Sequence, residues 1–168
     1  MTRVFIGLGT NLGDRAANLE QALALLPPEV SILRRSSVYE SEPVGLAGQP
    51  LFLNAAVAGA TDLMPLALLR HLKGIEARMG RQPAPRNGPR LIDLDLLFYA
   101  DWVLHVDGLE VPHPRIAERS FVLAPLCEIA PDFLDPLTGE TVAEMWRQRR
   151  SALSKSWVYS PSCTPDIT

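Results

Sequence analysis

The spacing of apolar residues changes several times along the chain, and each change marks an element. Residues 3–9 form a short apolar run that closes in glycines and predict a buried strand. Leu19, Ala22, Leu23 and Leu26 then recur at i, i+3, i+4 and i+7, a helix with one apolar stripe, stopped by Pro27-Pro28. Residues 30–39 predict a strand, and 41–50, with Pro and Gly throughout, a loop. Over 51–60 the pattern alternates: Leu51, Leu53, Ala55 and Val57 share one face, Phe52 and Asn54 the other. Asp62 and Pro65 signal a helix whose stripe is Leu68, Leu72, Ile75 and Met79, with Gly80 as its stop. Residues 81–89 predict a second Pro/Gly loop and 91–99 a strand, which Asp101 turns into a hairpin with 102–106. Residues 121–126 are a candidate last strand. Residues 138–150 predict a terminal helix turning Val142, Met145 and Trp146 inward, and 160–168 a loose tail.

The order β-α-β-β-α-β predicts an α+β fold, a ferredoxin-like βαββαβ sandwich with an antiparallel sheet and helices on one face. An extra hairpin and a C-terminal helix are added, within one domain over 1–159. Composition fits a single core: 168 residues, 47% hydrophobic and 21% charged, which excludes a disordered chain. The formal net charge of −3 argues against a nucleic-acid partner held by bulk phosphate attraction. No apolar stretch approaches 18 residues, so no membrane partner is expected. Cys127 and Cys163 show no CxxC spacing, which points to reduced thiols and a cytoplasmic location. A monomer is the default expectation.

The segment with the most chemical content is Gly88-Pro-Arg-Leu-Ile-Asp-Leu-Asp-Leu-Leu-Phe98. On a strand, Asp93 and Asp95 share a face with Cα atoms roughly 6.6–6.8 Å apart. Leu94, Leu96 and Phe98 point the other way. Paired carboxylates in so apolar a strand repel each other and lose hydration, and a divalent cation supplies the missing charge. Oxygen donors at this spacing suit Mg²⁺ shared with substrate phosphates. Charge is also segregated. Residues 70–90 hold six basic side chains and one acid, Glu76, whereas 91–146 hold eleven acids and two arginines. Arg81 and Arg90 flank the second loop, where guanidinium forks fit phosphate oxygens. His113 sits between two prolines near Arg115 and Arg119, a second possible phosphate-facing cluster. Asn54 beside Phe52, with Phe121 two residues after Arg119, suggests a slot for a flat heterocycle whose edge an amide reads. Gly7-x-Gly9-x-x-x-Gly13 approaches a dinucleotide fingerprint, but its spacing is wrong and no repeated βαβ units follow. These glycines are expected to serve a tight turn and close helix–strand packing.

Taken in order, PVG…QP-x-FLNAAV, IE-x-x-x-GR, GPR-x-x-DLDLL and VPH-P-R-x-x-x-R-x-F resemble the 6-hydroxymethyl-7,8-dihydropterin pyrophosphokinases over about residues 4–146. The resemblance implies a ferredoxin-like fold and a step of folate biosynthesis in which ATP gives its β,γ-pyrophosphoryl group to the pterin's hydroxymethyl oxygen, leaving AMP. It implies two Mg²⁺ ions on Asp93 and Asp95, with Arg81 and Arg90 engaging the triphosphate and assisting transfer. It places Lys73, Leu96, His113 and Arg119 on the nucleotide side. Phe52, Asn54 and Phe121 form the pterin slot, and Ser41, Glu42 and Val44 meet the pterin edge. Phe52 stands where Tyr is common in the family. Pro83, Asn87 and Pro114 also depart from its usual residues, which bears on loop closure and ATP affinity. Glu76 matches a family position to which the residues alone give no role.

Two readings from other classes compete. A non-catalytic ferredoxin-like binding module needs no paired carboxylates. A metal-dependent phosphohydrolase would split ATP without any pterin.

Overall fold

Strand pairing decides the architecture. The computed structural model describes residues 1–151 and 156–158. Its elements are β1 (Thr2–Thr10), α1 (Arg15–Leu25), β2 (Val30–Arg35), β3 (Tyr39–Ser41), β4 (Phe52–Thr61), α2 (Pro65–Arg78), β5 (Asp93–Tyr99), β6 (Leu104–Val106), β7 (Leu109–Val111), α3 (Ser120–Ile129), α4 (Val142–Arg149) and β8 (Ser156–Val158). The main sheet is antiparallel in the order β5-β1-β4-β3-β8, with β2 also paired to β4. Its central order β5-β1-β4-β2, crossed by α1 and α2, is the expected βαββαβ core.

Local chemistry places the ends of the helices. The Asp14 carboxylate accepts the Ala17 N–H at 3.1 Å and caps α1. Pro65 opens α2, where its missing N–H costs nothing. Thr141 and Glu144 form a capping box on α4.

The structure departs from the sequence pattern at five points. The strand expected over 30–39 is two strands. Arg35 faces Val57 and Tyr39 faces Asn54, four steps against three, and Ser36 absorbs the extra residue. Its N–H donates to Ala56 O and its Oγ accepts the Ala56 N–H, both at 2.9 Å. The hairpin forms between β6 and β7 around Asp107-Gly108, not between β5 and 102–106. That Asp-Gly pair is a strong two-residue turn signal, with Gly108 at φ 79°. Residues 121–126 are helical, inside α3. Val122, Leu123, Leu126 and Ile129 are buried at helical spacing, so an apolar run that fits either period takes the helical one.

Helices cover both faces of the sheet rather than one. α1 and α2 pack on Val4, Ile6, Leu8, Leu53, Leu94 and Leu96, while α3 and α4 pack on Phe5, Ala56, Ala58, Leu97 and Phe98. Finally, Phe98 does not share the face of Leu94 and Leu96. Phe5 pairs with Phe98 but Ile6 with Leu96, a bulge that leaves Leu97 unmatched. Beyond it, Leu97 and Phe98 both lie in the second core, where Phe5 and Phe98 meet Phe133 at 4.7 and 4.8 Å between ring centroids. Trp146 packs against this core as expected, and residues 160–168 with Cys163 lie outside the described residues.

Leu123 is fully buried in the layer built by α3. Leu123→Ala is expected to lower unfolding stability by about 3 kcal/mol, read as a shift of the denaturant midpoint. A loss under about 1 kcal/mol would mean that α3 is not part of the core.

Candidate active site

α3 and α4 cover only one end of the second sheet face. The other end is the floor of a cavity, and glycine makes that possible. On β1, Gly7 lies opposite Asp95 and Gly9 opposite Asp93. Neither glycine projects a side chain over the carboxylates. A Cβ at Gly9 would stand 3.4 Å from Asn54 Oδ1 and 3.9 Å from the Phe52 ring. The glycines expected in a turn are therefore strand residues in two cases, and only Gly13, at φ 67°, serves the turn. Their alternate spacing on one strand face was the available signal.

Ten of the expected site residues line this one cavity: Ser41, Glu42, Val44, Phe52, Asn54, Arg90, Asp93, Asp95, Arg119 and Phe121. The space between these residues, open mouth included, is about 960 Å³. The Asn54 side chain is buried. Its Nδ2 donates to Ser41 Oγ at 2.8 Å and to Tyr39 O at 3.4 Å, and its Oδ1 stands over Gly9. Each aromatic carries a guanidinium over its ring, Arg90 over Phe52 at 5.8 Å and Arg119 over Phe121 at 5.7 Å. A second hollow is lined by Lys73, Leu94, Leu96, Leu109, His113 and Pro114. Asp95 lines both hollows, so it stands where they join.

The two aspartates are electrostatically unlike. Burial raises the Asp93 pKa, but Arg90, Lys73 and Arg81 outweigh it and hold the carboxyl below its usual value. Arg81 reaches Asp93 Oδ1 at 2.9 Å and Arg90 reaches Oδ2 at 2.8 Å. Arg81 lines neither hollow and acts through this contact. Asp95 goes the other way: burial, then the charge of Asp93, push its pKa up. Such a buried carboxyl, short of positive charge, fits a hard cation, and Mg²⁺ prefers oxygen donors of this kind. Among the described residues no three or more His, Cys, Asp or Glu side chains gather around a point. The aspartate pair would therefore be completed by oxygens from substrate and water.

Glu76 has a role that sequence reasoning did not find. It is buried at the end of α2, and its Oε1 accepts the Leu94 N–H at 2.7 Å and the Lys73 ammonium at 3.0 Å. Its Oε2 holds Arg81 at 2.7 Å. One carboxylate thus fixes β5 between the aspartates and aims a lysine and an arginine. Asn11, also missed, is buried and joins the two loops. It donates to Gln49 Oε1 and Pro50 O at 3.1 Å and accepts the Arg90 N–H at 2.8 Å. Gln49 in turn donates to Asn87 O at 2.6 Å. No periodicity marks these polar residues; only their contacts reveal them.

His113 is mostly buried, and burial followed by the charge of Arg119 lowers its pKa to about 4. The Arg115 N–H donates to its Nδ1 at 3.2 Å, which assigns the proton of the neutral ring to Nε2.

Residues 5–131 match the family model 7,8-dihydro-6-hydroxymethylpterin-pyrophosphokinase. A 2-amino-4-hydroxy-6-hydroxymethyldihydropteridine pyrophosphokinase of Methylorubrum extorquens is 46% identical over 86% of this chain and 91% of its own length. The one from Bacillus subtilis is 44% identical over 86% of the chain and 90% of its length. A mitochondrial folate synthesis bifunctional protein of Arabidopsis thaliana is 47% identical over 83% of the chain, which spans only 25% of that longer relative. Among solved structures, the wild-type HPPK-DHPS of Plasmodium falciparum superposes with a TM-score of 0.72 at 18% identity, over 90% of this chain and 44% of that one.

Glu76→Ala is expected to cost about 2 kcal/mol, because the Leu94 N–H loses its buried acceptor, and Glu76→Gln distinctly less; denaturant midpoints check both. The folded pKa of His113 is depressed, so the unfolded chain binds more protons between about pH 4 and its ordinary value of 6.5. Its contribution to stability is therefore complete above that window and is lost as pH falls through it. The imidazole resonances should titrate near pH 4; a midpoint near 6.5 would contradict the burial.

Proposed function

The chain belongs to the 7,8-dihydro-6-hydroxymethylpterin-pyrophosphokinase family, and from that premise we infer that it transfers pyrophosphate from ATP to hydroxymethyldihydropterin in folate synthesis. At the level of residues, one observation carries the reading. An aromatic cavity with a buried amide and a second hollow carrying Lys73 and His113 meet at a single carboxylate, Asp95.

The pterin ring lies in the first cavity between Phe52 and Phe121. Stacking on flat aromatics suits a heterocycle, and the Asn54 amide, held by Ser41, presents polar atoms to its edge. Ser41, Glu42 and Val44 close the side wall. The nucleotide lies across the second hollow, over Leu96, with Lys73 and Arg119 toward its phosphates. His113 is neutral and offers an N–H from Nε2 rather than a positive charge.

In the reaction the hydroxymethyl oxygen bonds to the β-phosphorus, the bond from that phosphorus to the α,β-bridging oxygen breaks, and AMP leaves with the electron pair. The alcohol proton passes to solvent. None of the residues gathered here is placed as a general base, so the rate rests on alignment and on charge at the transferred group. Arg81 and Arg90 supply that charge by exchanging Asp93 for phosphate oxygens. The exchange is inexpensive, because one anionic partner replaces another. Two Mg²⁺ ions, held by Asp93 and Asp95, would neutralise phosphate oxygens and orient them. The loops at 41–50 and 81–89, already tied through Asn11 and Gln49, exclude water and so suppress ATP hydrolysis. The reading carries with it a monomer working in the cytoplasm on two small molecules, without a nucleic-acid or membrane partner. No helix among the described residues is long and apolar enough to cross a membrane.

With ATP, Mg²⁺ and hydroxymethyldihydropterin, AMP should appear only when the pterin is present; AMP or ADP without it would favour a hydrolase. Asp95→Asn should abolish turnover at unchanged stability. Phe52→Ala should raise the pterin KM by about tenfold or more, the loss of one aromatic stacking partner, with the ATP KM little moved. Arg90→Ala should lower kcat far more than it weakens pterin binding, and an unchanged kcat would remove it from the mechanism.

A further inference from the structure

β3 is three residues long, yet it brings Ser41 into the cavity and lies beside two residues of the pterin slot. Tyr39 pairs with Asn54, and Ser41 with Phe52. So short a strand, paired on one side only, would open readily. Its other edge is taken by β8. Tyr39 faces Val158, Glu40 faces Trp157 and Ser41 faces Ser156, all antiparallel. β8 also runs against α3, the helix that brings Phe121 and Val122 to the cavity. One strand near the C-terminus therefore touches both elements that flank the slot. It lies beyond residues 5–131, the part matched by the family model. Among the described residues, the polar side-chain links between the β3 region and α3 run through Glu128. Its carboxylate accepts the Tyr39 O–H at 2.8 Å, the Ser37 N–H at 2.9 Å and the Ser37 O–H at 3.0 Å, all near solvent. Exposed hydrogen bonds of this kind hold an edge weakly.

We propose that the strand Ser156–Val158 is a positioning element for the pterin slot: by completing the ladder on β3 it fixes the wall carrying Ser41 against the wall carrying Phe121. The proposal rests on the pterin assignment above. Its signature is one of parity. In an antiparallel pair only alternate residues send their N–H into the ladder. Proline removes that N–H, and an edge strand tolerates it only where the N–H faces away. Ser156→Pro and Val158→Pro share one parity, and Trp157→Pro has the other.

Tested in the full chain, the variants of the ladder parity should raise the pterin KM about fivefold, the equivalent of one backbone hydrogen bond. ATP KM and the thermal midpoint should stay where they were, and amide exchange along β3 should quicken. The opposite parity should change neither KM nor exchange. An unchanged pterin KM in all three variants, or a rise that ignores parity, overturns the proposal. So does a rise in both KM values that follows a fall in the thermal midpoint. Failure of the slot assignment reads differently: Phe52→Ala would then leave the pterin KM unmoved.

Discussion

Asp93 and Asp95 stand two residues apart on a sheet face from which water is largely removed, and most of the local structure serves to balance that charge. Two carboxylates at this spacing repel each other, and burial disfavours the charged form of both. The fold answers unevenly. Asp93 receives Arg81 on one oxygen and Arg90 on the other, and stays ionised. Asp95 sits where the two hollows meet, with its pKa raised. One aspartate is satisfied by protein, and the other is left short of positive charge.

Glu76 makes this arrangement stable. A buried carboxylate needs partners, and it finds them on three segments: the backbone of β5, Lys73 on its own helix, and Arg81 at the start of the loop. Each partner is thereby aimed at the site. Asn11 does the same for the loops, since its amide reaches both the 41–50 segment and Arg90. Neither residue lines either hollow. Both restrict the side chains that do, so preorganisation here is built from buried polar groups with every partner inside the fold.

The sheet supplies the remaining geometry. Glycines on β1 leave the floor bare beneath the aspartates, and the bulge at Phe5 and Ile6 turns Phe98 into the second core beside Leu97. Without that bulge the strict alternation of β5 would carry Phe98 to the face of Leu94. The bulge lets one strand serve as an open charged floor at its start and as a packed apolar wall at its end.

The alternation of residues 51–60 and the spacing of Asp93 and Asp95 follow from covalent geometry, so Phe52, Asn54 and the carboxylate pair were legible from the chain alone. The ordered motifs were legible too, because recognising a substrate fixes residue types at fixed separations. The stripes that define α1 and α2 likewise made the βαββαβ core readable. Tertiary structure decided what local pattern leaves degenerate. An apolar run such as 121–126 suits either period, and only the second core, needing a helix across Phe5 and Phe98, selected α3. The partners of Glu76 and Asn11, the split of β2 from β3, and the unequal charging of the two aspartates depend on groups far apart in sequence. Their energies arise only when the chain has closed around them and taken away the water.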